Sequence, residues 1–257
     1  MTGEYAPQCQ IWWARRHSAS YVPVDLFNDE ERDRYVAYRH AADADRFAVG
    51  VWLSRTVLGG LLGCAPREVE LLRDCPSCGR PHGRPRLAAA GPTISISHSG
   101  DLVVMALCRT HQVGIDVQEC GVDVPSPDGV MSPRELTAHR VLAPNRRRYG
   151  FFTTWVRKEA VLKATGDGLN FPLADLEVTG SDRAAGVIAC RGRPDLTVGL
   201  CDLPAPEGYA AAVAVLAARY PRLDHRDGDA LLSTGGSTPM DDLYVHCGFT
   251  MGRDKRL

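Results

Sequence analysis

The chain lacks an excess of charge, a long apolar run and a cysteine framework, and each lack removes a class of function. Thirty basic residues stand against 31 acidic ones, a formal net charge of −1 over 257 residues. No global field therefore draws in nucleic acid or anionic lipid, and basic groups act only locally. No stretch approaches the ~18 apolar residues of a membrane span. The opening MTGEYAPQCQ has neither the cationic flank nor the apolar core of a secretory leader, so a cytoplasmic protein is expected. The nine cysteines, an odd number, read as free thiols rather than disulfide partners. Neither a P-loop nor a dense acidic cluster is visible, and no residue-level repeat stands out.

What is present is enough chain for one large domain or two small ones. QIWWAR at 10–15 reads as a first strand. Asn28 with Glu31 fits a capping arrangement that opens a polar helix through about Arg39. Phe47, Val51, Leu58 and Leu62 recur at helical spacing until Gly63. VELLRD at 69–74 reads as a strand, followed by the turn-rich CPSCGRPHGRPRL at 75–87. TISIS at 93–97, LVVMALC at 102–108 and QVGIDV at 112–117 predict three antiparallel strands in succession. Ser132, Pro133 and Glu135 start a helix, and a longer one runs from about Arg147 to near Gly166. LEVT at 176–179, LTVGLCDL at 196–203 and GYAAAVAVLA at 208–217 follow as strands, the last buried on both faces. The expectation is an α+β fold: a unit over 1–111, a second over 112–220, and a mobile polar tail over 221–257.

Two motifs carry the chemistry. VGIDVQEC at 113–120 sets Asp116 in an apolar, β-branched strand. WVRKEAVLKATG at 155–166 sets Trp155, Glu159 and Lys163 four residues apart on one helix face. Most isolated carboxylates do no chemistry, but an aspartate that interrupts an apolar run is costly unless it has a partner. A strand carboxylate facing a helix with a second carboxylate and a lysine suits a divalent cation beside a phosphate. Magnesium needs only one or two protein carboxylates there, the rest coming from water and substrate. Cys75, Cys78 and His82 look like half a zinc site, but a closed site wants four ligands and no second C-x-x-C appears.

GIDV followed by W-x-x-K-E-A-x-x-K-x-x-G resembles the signature of 4′-phosphopantetheinyl transferases, in the long, Sfp-type branch. DADRFAVG at 43–50, HGRP at 82–85, SISHSG at 95–100 and GYAAAVAV at 208–215 resemble further motifs of that branch, in the same order. The resemblance spans roughly Asn28 to Ala217. It implies two similar α+β halves related by pseudo-twofold symmetry, with the active-site cleft between them in one monomeric chain. It also implies transfer of the phosphopantetheine arm of coenzyme A to a serine of apo acyl or peptidyl carrier domains in polyketide, non-ribosomal peptide or fatty-acid synthases. Adenosine 3′,5′-bisphosphate would be released.

By the same resemblance, Asp116, Gln118 and Glu159 would hold magnesium, or manganese. Glutamate is usual at position 118, and glutamine offers an uncharged oxygen. Glu159 would also be the base, with Lys163 and His98 on phosphate oxygens. Arg34, Arg46, Gly83, Arg84, Pro85, Ser97, Asp116 and Lys158 would complete the coenzyme site. Glu31 falls where a family lysine would stand. Apart from the resemblance, the run Arg146, Arg147 and Arg148 reads as a solvated helix start or as a basic patch that attracts an acidic carrier. Two rivals are another magnesium-dependent phosphoryl transferase and a zinc-stabilised nucleic-acid binder that uses CPSC and the arginine run.

Overall fold

A computed structural model of the protein describes residues 6–235, apart from 24, 75–78, 80–82, 89, 122, 124 and 125. The chain begins with β1 (Gln8–Arg15), a short helix α1 (Asp29–Val36) and a 22-residue helix α2 (Ala41–Leu62). Two-residue strands β2 (Leu71–Leu72) and β3 (Arg86–Leu87) pair with each other, and the hairpin β4 (Thr93–Ser99) and β5 (Leu102–Cys108) follows. The plan then recurs. β6 (Val113–Glu119) leads into α3 (Pro133–Arg140) and the 22-residue α4 (Pro144–Thr165). The small pair β7 (Leu176–Val178) and β8 (Val187–Cys190) comes next, then β9 (Gly199–Asp202) and β10 (Tyr209–Val215).

In each half the first strand pairs antiparallel with the last, and the last with the one before it: β1-β5-β4 and β6-β10-β9. The two sheets stack face to face, with α2 on one outer side and α4 on the other. Strand alternation decides which side chain enters which layer. Val103, Met105 and Leu107 pack under α2, while Leu102, Val104 and Ala106 of the same strand fill the layer between sheets. In β10, Ala210, Ala212 and Ala214 lie under α4, while Ala211, Val213 and Val215 meet the other sheet. The unbroken small apolar run of β10 is thus a strand buried on both faces.

The repetition extends to residues, although no repeat is evident by eye. α1 and α3 both open with a capping box, Asn28 with Glu31 and Ser132 with Glu135. The twelfth residue of each long helix is a tryptophan, Trp52 and Trp155, and each helix stops at a left-handed glycine, Gly63 and Gly166. The fifteenth residue of each is a buried cation that reaches the capping glutamate of its own half. Arg55 meets Glu31 at 2.9 Å, and Lys158 meets Glu135 at 2.6 Å. Arg55 also donates to the carbonyl of Val69, and Lys158 to those of Val130 and Leu173. One buried charged joint therefore fastens the short helix to the long one twice.

Three expectations change. Position 113 does not extend the β4–β5 hairpin; β6 leaves that sheet and pairs with β10. VELLRD pairs only at Leu71 and Leu72. The tail expected from residue 221 is instead structured over 222–233: β11 (Arg222–Asp227) pairs parallel with β1, and α5 (Gly228–Ser233) buries Leu231 and Leu232 under the first sheet. Its polarity hid it, because β11 is an edge strand whose Arg226 is held by Asp224.

Replacing Lys158 with methionine leaves Glu135 buried without its cation. A loss of about 3–5 kcal/mol in urea unfolding is expected, and a loss below about 1 kcal/mol would show that the joint carries little.

Candidate active site

Gly114 decides where the site lies. A Cβ there would sit 2.0 Å from the Ala160 carbonyl oxygen and 2.3 Å from the Ala164 nitrogen of α4. Only glycine lets the helix pass so close to β6. Two residues on, along the same strand face, Asp116 therefore lies beneath α4, within reach of Lys163 and next to Glu159. Asp116 is 5% exposed.

The opposite wall is β4, whose Ser95, Ser97 and Ser99 point at β6. Their hydroxyls accept from the backbone N–H groups of Ile115, Val117 and Glu119, at 3.1, 3.3 and 3.0 Å. A ladder of serine hydroxyls thus joins the halves where a backbone ladder would otherwise run. The middle rung does more: Ser97 Oγ donates to Asp116 Oδ1 at 2.7 Å. Lys163 Nζ reaches the same oxygen at 2.6 Å. Both donors therefore converge on Oδ1, and Asp116 Oδ2 is buried with no hydrogen-bond partner.

Glu159 Oε1 is likewise buried and unpartnered. Burial first, and the Asp116 carboxylate second, push the Glu159 pKa up to about 7, while Lys163 opposes the shift. Gln118, on the same strand face as Asp116, donates from Nε2 to Ser99 Oγ, which leaves its carbonyl oxygen to accept or ligate. This donor set fits a hard divalent cation: two neighbouring carboxylates, each with a bare buried oxygen, and an amide oxygen beside them. Among the described residues no group of three or more His, Cys, Asp and Glu forms a metal cluster. Cys75, Cys78 and His82 lie outside the described residues.

Basic groups lead away from this pair. His98 feels the charges of Arg46 and Lys163, which, after burial, hold its pKa below the usual histidine value. Arg46 is anchored to the Gly100 carbonyl at 2.8 Å and to Asp43. Arg34 lies over the Phe47 ring, 5.1 Å from its centre. Arg73, missed in the sequence, comes next. Burial and the nearby Arg34 charge lower its pKa, and its Nε is buried without an acceptor. Two neighbouring guanidiniums, one with an unmet donor, fit a polyanion. The only sequence sign was an arginine at the end of the apolar run VELL.

Other expected residues have different duties. Lys158, adjacent to Glu159 in sequence, points the other way round the helix. It is fully buried, and its three donors meet Val130, Glu135 and Leu173, so it does not bind a coenzyme. Arg84 donates to Ile94, Gln112, Val113 and Ala164, clamping β4, β6 and the end of α4 together instead of holding a free phosphate. Gly83 is required by the carbonyls of Arg73 and Asp74, which a Cβ would meet at 2.8 and 2.4 Å, rather than by an adenine. Pro85 follows as the half-buried lead into β3. Glu31 belongs to the buried joint with Arg55 and so takes no part in a phosphate clamp. Arg147 and Arg148 turn back onto the carbonyls of Arg140, Leu142, Cys120 and Gly121.

Residues 112–214 match the model of the 4′-phosphopantetheinyl transferase superfamily. The 4′-phosphopantetheinyl transferase HetI of a Nostoc species is 37% identical over 130 residues, 48% of this chain and 53% of its own. A phosphopantetheinyl transferase of a Thraustochytrium species is 30% identical over 185 residues, 63% of this chain and 60% of its own. The 4′-phosphopantetheinyl transferase of Bacillus subtilis is 28% identical over 154 residues, 58% of this chain and 64% of its own. The chain spans between about half and two thirds of the length of these relatives. The resemblance carried by the motifs is borne out, and the nucleic-acid reading finds no support in these matches.

The raised Glu159 pKa makes a stability prediction for the metal-free protein. Between its ordinary value of 4.5 and about 7, the folded chain binds more protons than the unfolded one, so this group's contribution falls as pH rises through that window and is lost above it. Glu159→Gln removes the penalty. The variant should be more stable than wild type at pH 8 by up to about 3 kcal/mol, with the gap closing near pH 5. A gap independent of pH in urea unfolding would show that Glu159 titrates normally.

Proposed function

We propose that this chain transfers the 4′-phosphopantetheine arm of coenzyme A to a serine of an apo acyl or peptidyl carrier protein, in a magnesium-dependent reaction. One observation carries the reading: neighbouring carboxylates, Asp116 and Glu159, each hold a bare buried oxygen at the head of a line of basic groups. The family match over 112–214 and the names of the relatives support the same chemistry.

Asp116 Oδ2, Glu159 Oε1 and the Gln118 carbonyl would hold the ion, which when bound offsets negative charge on the carboxylates and on the pyrophosphate. The chain's own groups do the rest. A cation bound there would draw the Glu159 pKa back down and keep the group a carboxylate, whose second oxygen would take the proton of the attacking serine hydroxyl. The serine oxygen bonds to the pantetheine-side phosphorus, the bond from that phosphorus to the bridging oxygen breaks, and adenosine 3′,5′-bisphosphate departs. Lys163 uses one donor on Asp116, which leaves two for oxygens of the leaving phosphate. His98, whose pKa burial and then the charges of Arg46 and Lys163 hold below the usual histidine value, offers a ring N–H to a phosphate. Arg46, Arg34 and Arg73 suit the nucleotide's remaining phosphates. Since one chain carries both walls of the site, the reading is of a monomer that serves carrier domains of polyketide, non-ribosomal peptide or fatty-acid synthases.

The test incubates the protein with coenzyme A, magnesium and an apo carrier and weighs the carrier by mass spectrometry. A phosphopantetheine adduct is expected with wild type and with Gln118→Glu, and none with Glu159→Gln although that variant stays folded. An active Glu159→Gln enzyme would remove Glu159 from the chemistry.

A further inference from the structure

The two halves repeat each other but are not equally filled. Under α1 and α2 the first half packs a cluster of rings. Phe27 lies 5.3 Å from Tyr35 and 6.2 Å from Phe47, and Tyr38 lies 5.6 Å from Phe47, centre to centre. The capping boxes and the long helices set the second half in register with the first. Phe27 then corresponds to Met131, Tyr35 to His139, Tyr38 to Leu142, and Phe47, the seventh residue of its helix, to Gly150. Four rings are replaced by a thioether, an imidazole, an isobutyl group and a hydrogen atom.

Those four substitutes line a cavity of about 190 Å³ between α3, α4 and the β7–β8 pair. Ile188 of β8, 46% exposed, stands at its rim. A dry cavity of about 150 Å³ lined by apolar groups is large enough for benzene. This one has a mixed lining, with Arg134, Glu177, Ser181 and Asp182 also in its walls, and His139 Nδ1, shielded from solvent, has no hydrogen-bond partner. A buried ring nitrogen without a partner is costly unless something meets it.

We propose that this cavity is a binding site for a small phenol-like molecule. Its single aromatic ring occupies the volume that Phe47 fills in the first half, and its hydroxyl bonds to His139 Nδ1. The site is separate from the Asp116–Glu159 pair. Gly150, Thr154 and Glu159 share α4, but Gly150 and Thr154 face α3 and the β7–β8 pair, whereas Glu159 neighbours Asp116 of β6. The proposal does not depend on the transferase reading.

The experiment titrates phenol into the full-length protein and follows backbone amide resonances. Saturable shifts confined to residues around Gly150, His139 and Thr154 are expected, with a Kd in the millimolar range or tighter, and toluene should bind at least tenfold more weakly. Two variants restore first-half residues and should abolish the shifts. Gly150→Phe needs the Leu142 side chain, 2.7 Å from where a Cβ would stand, to move aside. Leu142→Tyr asks nothing of the helix backbone. No saturable shift in wild type, shifts mapping elsewhere, or full phenol binding by a folded Leu142→Tyr protein would each overturn the assignment.

Discussion

The closeness of α4 to β6 is the constraint from which the site follows. Side chains on a strand normally hold a covering helix at a distance set by their own bulk. At Gly114 there is no side chain, and the helix backbone comes within contact of the strand. One strand step later an aspartate lies under the helix instead of beyond it, and one helix turn separates the glutamate and the lysine that flank it. Any side chain at position 114 would lift α4 and separate the acidic pair. The dipeptide spacing in VGID therefore couples packing to chemistry: the glycine makes the cleft shallow enough for the aspartate to matter.

Asp116 itself shows how a buried charge is both tolerated and kept reactive. Its donors, a serine hydroxyl from one half and a lysine from the other, share one oxygen and leave the second bare. Two donors on two oxygens would neutralise the carboxylate as a ligand. Two donors on one oxygen hold the group in place and aim the other oxygen. The serine can do this because its lone pair is already engaged by the Val117 N–H, which fixes where its proton points. The seam between the halves is thus not only a mechanical joint but also what orients the bare oxygen of Asp116.

Much of this is legible in the chain, for local reasons. Capping boxes, glycine stops and β-branched runs depend on neighbours in sequence, so the helices, most of the strands and the pair Asp116 and Glu159 can be read from the residues alone. What escapes depends on partners far away. Lys158 and Glu159 are adjacent letters, and only the phase of α4 against α3 and β6 separates a buried strut from an acid. Arg84 looks like a phosphate ligand until its donors are seen on Gln112, Val113 and Ala164. β11 reads as a polar tail because an edge strand hides little, and its parallel pairing with β1 joins the two ends of the described chain. The serine ladder does leave a sign, hydroxyls at every second position in SISHS, but period-two serines are also common on a solvated strand face.

The internal repeat explains why chemistry resides in one half. At the positions of Glu159 and Lys163 the first long helix carries Thr56 and Gly60, and at the position of Lys158 it carries Arg55. The buried joint is kept in both copies because both need it to fold, whereas the acidic and basic pair exists once. A second acidic pair in the first half would place two more carboxylates in a packed layer without a ligand to offset them. The freed half instead supplies Arg34, Arg46, Arg73 and His98, the groups suited to hold an anionic substrate in front of the acids of the other copy. With Asp116, Glu159 and Lys163 on one repeat and Arg34, Arg46, Arg73 and His98 on the other, the cleft draws its charged groups from both, and neither repeat carries the set alone.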